Sequence, residues 1–412
     1  MTTVVTTSEE DPALTVVRFT SELSWADAGP QIAEPEVAKL CAEAEECMVM
    51  GRWLDLVSLM IASVELISSK LSEKDFECIL TVICNLVTKS ENLDETLEMA
   101  KLISTKVCQQ MNDKPASRLK ILFSLYNLLD DPSGRFYVYM KALALASNAK
   151  VADHIIPSFK KIDSFLKEWN VEISDKRELF LAIGNILRDN KSSPGDYFKF
   201  LDKYLATFSG EDVTALSEAK GEAVKAIVEF IKAPDMFECD LLDLPAIKQL
   251  EADAENTAVY QLLKIFLTQR LDAYMEFQAA NSALLKFHGI NHLDCVTKMR
   301  MMSLIDIGSN VSSQIPYATI IDALQIDADE VEFWVVKAMT AKLLNCKLDQ
   351  MNEVVIVSRS LDRVFGQPHW EHLRTKLAAW RGNVSNGMST IQLSIVPENE
   401  AQVAPSPAIR SN

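Results

Sequence analysis

Few residues in this 412-residue chain have the types and spacing that chemistry requires. The nearest arrangement is His369-Trp370-Glu371-His372, two imidazoles and a carboxylate, a donor set that suits zinc. Its histidines are three apart, whereas a helical zinc pair flanking a catalytic glutamate needs them four apart. Their position at the start of an apolar-periodic segment favours a capping or solvated role over a metal. His288 and His292 are four apart, but Gly289 and Asn291 between them mark a helix end, so a shared face is not expected. Neither phosphate cradle, G-x-x-x-x-G-K-[ST] or G-x-G-x-x-G, occurs, and no G-x-S-x-G elbow does. Acidic pairs such as Glu45-Glu46 and Asp329-Glu330 read as solvated or capping residues rather than acid/base pairs. The 8 cysteines are scattered with no C-x-x-C pair, mostly among apolar helical residues, which reads as buried, reduced thiols in a reducing compartment. The expectation is a protein that is not an enzyme, with no catalytic, cofactor-binding or metal-ligating residue.

The patterns that remain point to assembly. Trp370, Leu373, Leu377, Trp380 and Val384 follow one another at spacings of three, four, three and four, which is a heptad seam. A helix of about four turns is too short to be stable alone, so the seam needs a partner, either its own domain or other subunits, and the second is favoured. Its two tryptophans suit an interface. Ahead of it, Pro316 and Tyr317 open a short helix ending near Ile326. Asp327 then reads as a cap with Glu330 in the capping-box place, for a second helix from about Ala328 to Leu343. Asn345 to Leu348 and Glu353 to Ser358 read as two strands around a polar turn at Asp349 to Asn352. Helix, helix, hairpin is the order of a winged helix. An isolated strand pair is marginal, so Val354, Val355, Ile356 and Val357 are candidates to accept a neighbour's strand; a third strand supplied from within the chain would serve equally.

Composition frames both patterns. Hydrophobic residues make up 48% and charged residues 24%, ordinary for a globular protein, and only 12 Gly and 14 Pro are present, which disfavours turn-rich all-β folds. Apolar runs are broken well short of a membrane span, and the acidic Glu9-Glu10-Asp11 segment is no signal peptide. The net charge is −17, concentrated before Lys286, and an acidic body repels phosphate backbones. The second winged-helix helix begins with Asp329, Glu330 and Glu332, which opposes base readout. Arg359, Arg363, Arg374, Lys376 and Arg381 form a modest basic set, a solvated face that permits at most weak RNA contact.

Helical periodicity fills most of the remaining chain, with short linkers, as in a helical solenoid. Expected helices include Val37 to Met50, Trp53 to Ser68, Leu93 to Gln109, Ala116 to Leu129, Ser133 to Ser147, Pro157 to Trp169, Asp212 to Ile231 and Leu271 to Phe287. One further start signal, Ser72 to Asp75, precedes an apolar stripe from Phe76 to Val87. The expected division is a disordered acidic arm over 1–30, helical repeats over 31–195, and a third domain over 196–362 whose winged helix occupies about 294–360. An assembly helix over 363–385 and a disordered tail over 386–412 complete it.

A helical stack ending in a winged helix and a trailing helix resembles the PCI-domain family, whose members occur in the proteasome lid, the signalosome and eukaryotic translation initiation factor 3. Within that family the chain is similar to an initiation factor 3 subunit. The residues carrying the likeness include Leu125 to Leu129, Glu168-Trp169-Asn170, Leu262 to Phe266, Lys298 to Met302, Leu324-Gln325-Ile326, Lys347 to Gln350, Arg363 to Gly366 and Trp370 through Trp380 to Asn383. The resemblance implies a mainly α fold: a right-handed helical-repeat solenoid, then the winged helix of the PCI domain and a C-terminal helix. It also implies a non-catalytic, cytoplasmic scaffold without cofactors. Its partners would be other initiation factor 3 subunits, met through the winged-helix edge and the C-terminal helix. The small ribosomal subunit would be reached through the complex, and no membrane is involved. A scaffold place in the signalosome or proteasome lid is the alternative; the metalloprotease subunits there carry a His-x-His motif that this chain lacks.

Overall fold

The computed structural model of the chain describes residues 11–26, 30–190, 194–211, 213–310, 314–361, 363 and 366–394. It is almost entirely helical and falls into two compact units, Met1–Ala233 with Asp243–Gln261, and Pro234–Leu242 with Leu262–Asn412.

The first unit contains α1 (Pro12–Ser24), α2 (Pro30–Val49), α3 (Trp53–Ile61), α4 (Val64–Lys70), α5 (Glu73–Asn85), α6 (Leu93–Val107) and α7 (Pro115–Leu128). It continues with α8 (Pro132–Asn148), α9 (Ile162–Trp169), α10 (Ile173–Asn190), α11 (Pro194–Ala206), α12 (Val213–Glu218), α13 (Lys220–Lys232) and α14 (Pro245–Lys248). Helices pack mostly on close neighbours in the chain, as α5 on α7, α6 on α8, α8 on α10 and α11 on α13. That is the wiring of stacked helical repeats, in which every apolar stripe is covered by neighbours close in sequence. Two of the resemblance segments meet inside this stack. The Tyr126 ring stands edge-on to Trp169 at 6.2 Å, and Tyr139, Phe165 and Phe136 complete the aromatic cluster. Asn170 then ends α9 in the left-handed region, φ 48°, where asparagine is tolerated.

Several expected boundaries shift. Residues 12–24, expected within a disordered arm, form α1: Asp11 accepts the Ala13 amide at 2.8 Å, Pro12 occupies the first turn, and Ala13 and Val17 are buried against the stack. Residues 1–10 of that arm, like Asp212 and 395–412 of the expected tail, lie outside the described residues. The expected helix Trp53 to Ser68 is broken between Ile61 and Val64, and Leu271 to Phe287 is broken at Asn281, φ −121°. The segment before α9 is a 3-10 helix, Ile156–Lys161. Ser72 does cap α5, accepting the Asp75 amide, and Asp131 caps α8 through the Gly134 amide at 2.7 Å.

A buried guanidinium ties the early stack together. Arg118 on α7 is 1% exposed. It donates from Nε to the Asp113 carbonyl at 2.7 Å, from Nη1 to the Val107 carbonyl at 2.8 Å and from Nη2 to Ser68 Oγ at 3.0 Å. The Asp113 carboxylate stands 3.6 Å away, and the Phe76 ring lies against the guanidinium at 5.3 Å. Separate segments are thus tied together by one side chain that donates from all three of its nitrogens.

The chain enters the second unit within α15 (Thr257–Thr268), followed by α16 (Leu271–Ala280), α17 (Ser282–Phe287), α18 (His292–Asn310), β1 (Gln314–Pro316), α19 (Tyr317–Leu324), α20 (Val331–Thr340), β2 (Leu344–Asp349), β3 (Val354–Ser360) and α21 (Gln367–Ser394). From α18 to β3 this is a winged helix. Its sheet has order β1-β3-β2, all antiparallel, with a bulge at Asn345/Cys346. Asp327 makes no side-chain cap, so the expected capping box is absent, and a 3-10 turn, Ala328–Glu330, leads into α20 instead. Arg300 donates to the carbonyls of Leu324 and Gln325, both at 3.0 Å, and so finishes α19, its guanidinium lying on the Trp334 ring. Gly308 lets α18 approach the sheet, since a Cβ there would lie 2.7 Å from Leu344 Cδ2 and 3.1 Å from Ser360 Oγ.

Two consequences are testable. Arg118→Met leaves the Val107 and Asp113 carbonyls and Ser68 without their donor, so it should destabilise the protein by about 2–4 kcal/mol. The check is a lower urea midpoint with far-UV helicity unchanged in buffer. Lys298 on α18 is 2% exposed, and burial lowers its pKa from 10.5 to about 7, against the upward pull of Cys295, Cys239 and Asp235. Between those values the unfolded chain binds the proton and the folded one does not, so this group makes stability rise with pH from about 7 towards 10.5. Lys298→Met should flatten that rise and raise the melting temperature at pH 6–7; an unchanged profile would show that the amine is not desolvated.

Candidate functional site

The residues of the heptad seam all lie on α21, a helix of 28 residues and so about 42 Å long. It is longer than expected: helix covers residues 386–394, which had been assigned to the tail. Its start is fixed locally. The Gly366 amide donates to His369 Nδ1 at 3.2 Å, which is the capping role that competed with a metal site in the His369 to His372 segment. Among the described residues no group of three or more His, Cys, Asp or Glu is placed to hold a metal ion.

Trp370, Leu373, Leu377, Trp380 and Val384 are all exposed, from 39% at Leu373 to 64% at Trp380. Met388 and Ile391 prolong the same face and are exposed as well. The seam therefore does not fold back onto its own domain. An apolar stripe of this length in water is the form an interface takes before its partner arrives.

What holds the root of this helix was missed in the sequence. Arg363, grouped above with a surface basic set, is buried. Its Nε donates to the Met302 carbonyl at 2.7 Å and Nη1 to the Gln269 carbonyl at 2.6 Å, while its own carbonyl accepts the Cys239 amide. Burial lowers its pKa to about 10, so it stays charged at neutral pH. It pins the segment ahead of α21 to the end of α15 and the middle of α18. Arg359, Arg374, Lys376 and Arg381 remain exposed.

The sheet corrects one expectation. Val354, Val355 and Ile356 pair on one side with β1 (Pro316, Ile315 and Gln314) and on the other with β2 (Asp349, Leu348 and Lys347). The third strand comes from within the chain, so β3 is central and Val355 is fully buried. Among the described residues Val357 pairs with Cys346 of β2. Among the described residues the outer edges of the sheet are those of β2 and β1. On β2 the exposed side chains are Asn345, Lys347 and Leu348.

On α20, the place of a recognition helix, the exposed apolar side chains are Phe333, Val336 and Met339, with acidic residues at its start. Such a face suits protein rather than phosphate. Cysteines Cys47, Cys84, Cys108, Cys239, Cys295 and Cys346 are buried as expected, whereas Cys41 is half-buried and Cys78 exposed.

Comparison with known proteins matches these parts. Residues 278–359 match the model of the PCI domain, and residues 363–391 match that of the eIF3 subunit M C-terminal helix. The Dictyostelium discoideum protein named eukaryotic translation initiation factor 3 subunit M is 36% identical over 325 residues, 78% of this chain and 80% of that protein. Proteins of the same name from Phaeosphaeria nodorum and Homo sapiens are 26% identical over 365 residues (87% of this chain, 82% of theirs) and 27% identical over 344 residues (83% and 89%).

The seam makes a sharp prediction. Leu377→Glu and Trp380→Ala should each cut co-recovery of partner polypeptides about tenfold or more while leaving the helicity and melting of the isolated chain nearly unchanged. An isolated variant that melts early or aggregates would mean that the seam packs within the chain.

Proposed function

The chain belongs to the family of eukaryotic translation initiation factor 3 subunit M, and from that premise we propose that it is a non-catalytic scaffold subunit of that factor. It supports assembly of the complex and the binding of the complex to the small ribosomal subunit during translation initiation. The observation that carries this reading is the exposed seam of α21, anchored at its root by Arg363 and lying in the segment that matches the family's C-terminal helix. The seam joins the helices of other subunits, and Trp370, Leu373, Leu377, Trp380 and Val384 are the residues assigned to that contact.

A second contact runs through the winged helix. With β3 occupied on both sides, a neighbouring subunit's strand adds to the edge of β2, and Val354 to Val357 contribute by holding that edge in place. The exposed cations Arg359, Arg374, Lys376 and Arg381 allow at most weak RNA contact, against an acidic chain of net charge −17. No helix among the described residues is long and apolar enough to cross a membrane, and the proposed place of action is the cytoplasm. The subunit-M matches favour this assignment over a place in the signalosome or proteasome lid.

Affinity capture of the tagged full chain from lysate, with mass spectrometry of what accompanies it, tests the reading. Initiation factor 3 subunits together with small-subunit ribosomal proteins are expected. Signalosome or proteasome lid subunits would overturn the pathway, and a solitary chain would overturn the scaffold assignment.

A further inference from the structure

The second unit carries a groove that neither the α21 seam nor the sheet edge accounts for. Its volume is about 670 Å³. One wall is α18, which presents Asp294, Thr297, Lys298 and Met301; the other is α20, which presents Phe333, Val336, Lys337 and Thr340. Both sets follow the spacing i, i+3, i+4, i+7, so each is a single helical face. Phe237, from the short segment that joins this unit, adds to the apolar lining. Two helix faces flanking one trough leave the position that a third helix takes in a bundle. Phe333 is 59% exposed and Val336 50%, although both sit on the wall of a concave surface. The α20 wall is 10 residues long, about 15 Å, which suits an occupant of two to three turns.

Charge restricts what that occupant is. The two lysines of the groove are engaged or enclosed: Lys337 lies over the Phe333 ring at 5.8 Å and the Trp334 ring at 4.8 Å, and Lys298 is buried. The carboxylates of Asp235 and Asp294 are exposed, with Asn291 donating to Asp294 at 3.0 Å. The exposed charges of the groove are therefore the two carboxylates, beside an apolar floor, while the Lys337 ammonium is held against the rings. We propose that this groove docks a short amphipathic helix of a partner protein, its buried face aliphatic or aromatic and its flanks carrying Lys or Arg that meet Asp235 and Asp294. The apolar ridge of the recognition helix thereby serves protein recognition, and phosphate is repelled by the same carboxylates. The proposal rests on the scaffold reading, because it requires a protein assembly, but it uses none of the seam or edge residues.

Site-specific photo-crosslinking tests it. p-Benzoylphenylalanine replaces Val336 in the tagged full chain, the assembly is captured and irradiated, and the adduct is mapped by mass spectrometry. The expected adduct joins one partner polypeptide at a segment with apolar residues three or four apart and a flanking Lys or Arg. Asp235→Lys combined with Asp294→Lys should lower the adduct yield about tenfold, with recovery of the assembly and far-UV helicity unchanged, since both side chains are exposed. A recovered assembly with no adduct, or with an adduct to RNA, to an acidic segment or to a second copy of this chain, overturns the groove proposal alone. Capture that recovers no assembly overturns the scaffold reading and this proposal with it.

Discussion

Almost every helix in this protein is too short to persist alone in water, and that constraint organises the rest. Helices of α3's or α9's length gain little from their own hydrogen bonds and exist because an apolar stripe is covered by a neighbour. Stacking satisfies this for each repeat but leaves the last stripe open. Within the second unit a small sheet covers the helices, its buried residues Ile315, Cys346 and Val355 facing α18, α19 and α20. α21 is the exception. It is the longest helix described, and its apolar face remains exposed from Leu373 to Met388. Stability elsewhere comes from apolar faces covered within the chain; on α21 that face stays in water.

Three buried cations show how the fold spends polar groups where apolar ones would pack more cheaply. Arg118 and Arg363 direct their hydrogen bonds to carbonyls and a hydroxyl, each joining segments far apart in sequence: Ser68 with Val107 in one case, Gln269 with Met302 in the other. Planar guanidinium suits this, because several carbonyls can be reached from one fixed fork while the charge survives burial. Lys298 answers burial differently, by moving towards the neutral amine. The arginines therefore act as geometric anchors, and Arg363 has the greater functional weight because the direction in which α21 leaves the sheet depends on where residue 363 is held.

Periodicity made the stack, the winged helix and the α21 seam legible in the sequence, because each depends on local spacing. What stayed hidden depends on contacts between distant residues. β1 is three residues long and ends in Pro316, too short for any alternation to register, yet its pairing with Val354, Val355 and Ile356 moves the free edge from β3 to β2. α1 was masked by the acidic run before it, although Asp11-Pro12 is itself a helix-start signal. Arg363 looked like its neighbours Arg359 and Arg374, and nothing in its local sequence distinguishes a cation that meets three-dimensional carbonyls from one that meets water. The groove between α18 and α20 was likewise invisible: its two stripes lie 32 or more residues apart, and only the fold sets them face to face.

What the winged helix presents to its surroundings is decided by the side chains on its second helix. The mouth of a winged helix can read nucleic acid when its second helix is basic. Here the acidic start of α20 and its exposed Phe333, Val336 and Met339 give that helix the opposite chemistry. Lys298, Arg363, Cys84 and Arg118 have pKa values displaced chiefly by burial, and they lie on different parts of the fold. The surfaces that remain reactive are apolar faces and an unpaired strand edge, and such surfaces lower their free energy only by meeting other proteins. In the proposed reading the chain functions by what it holds together, with specificity set by the spacing of a few exposed side chains along α20, β2 and α21.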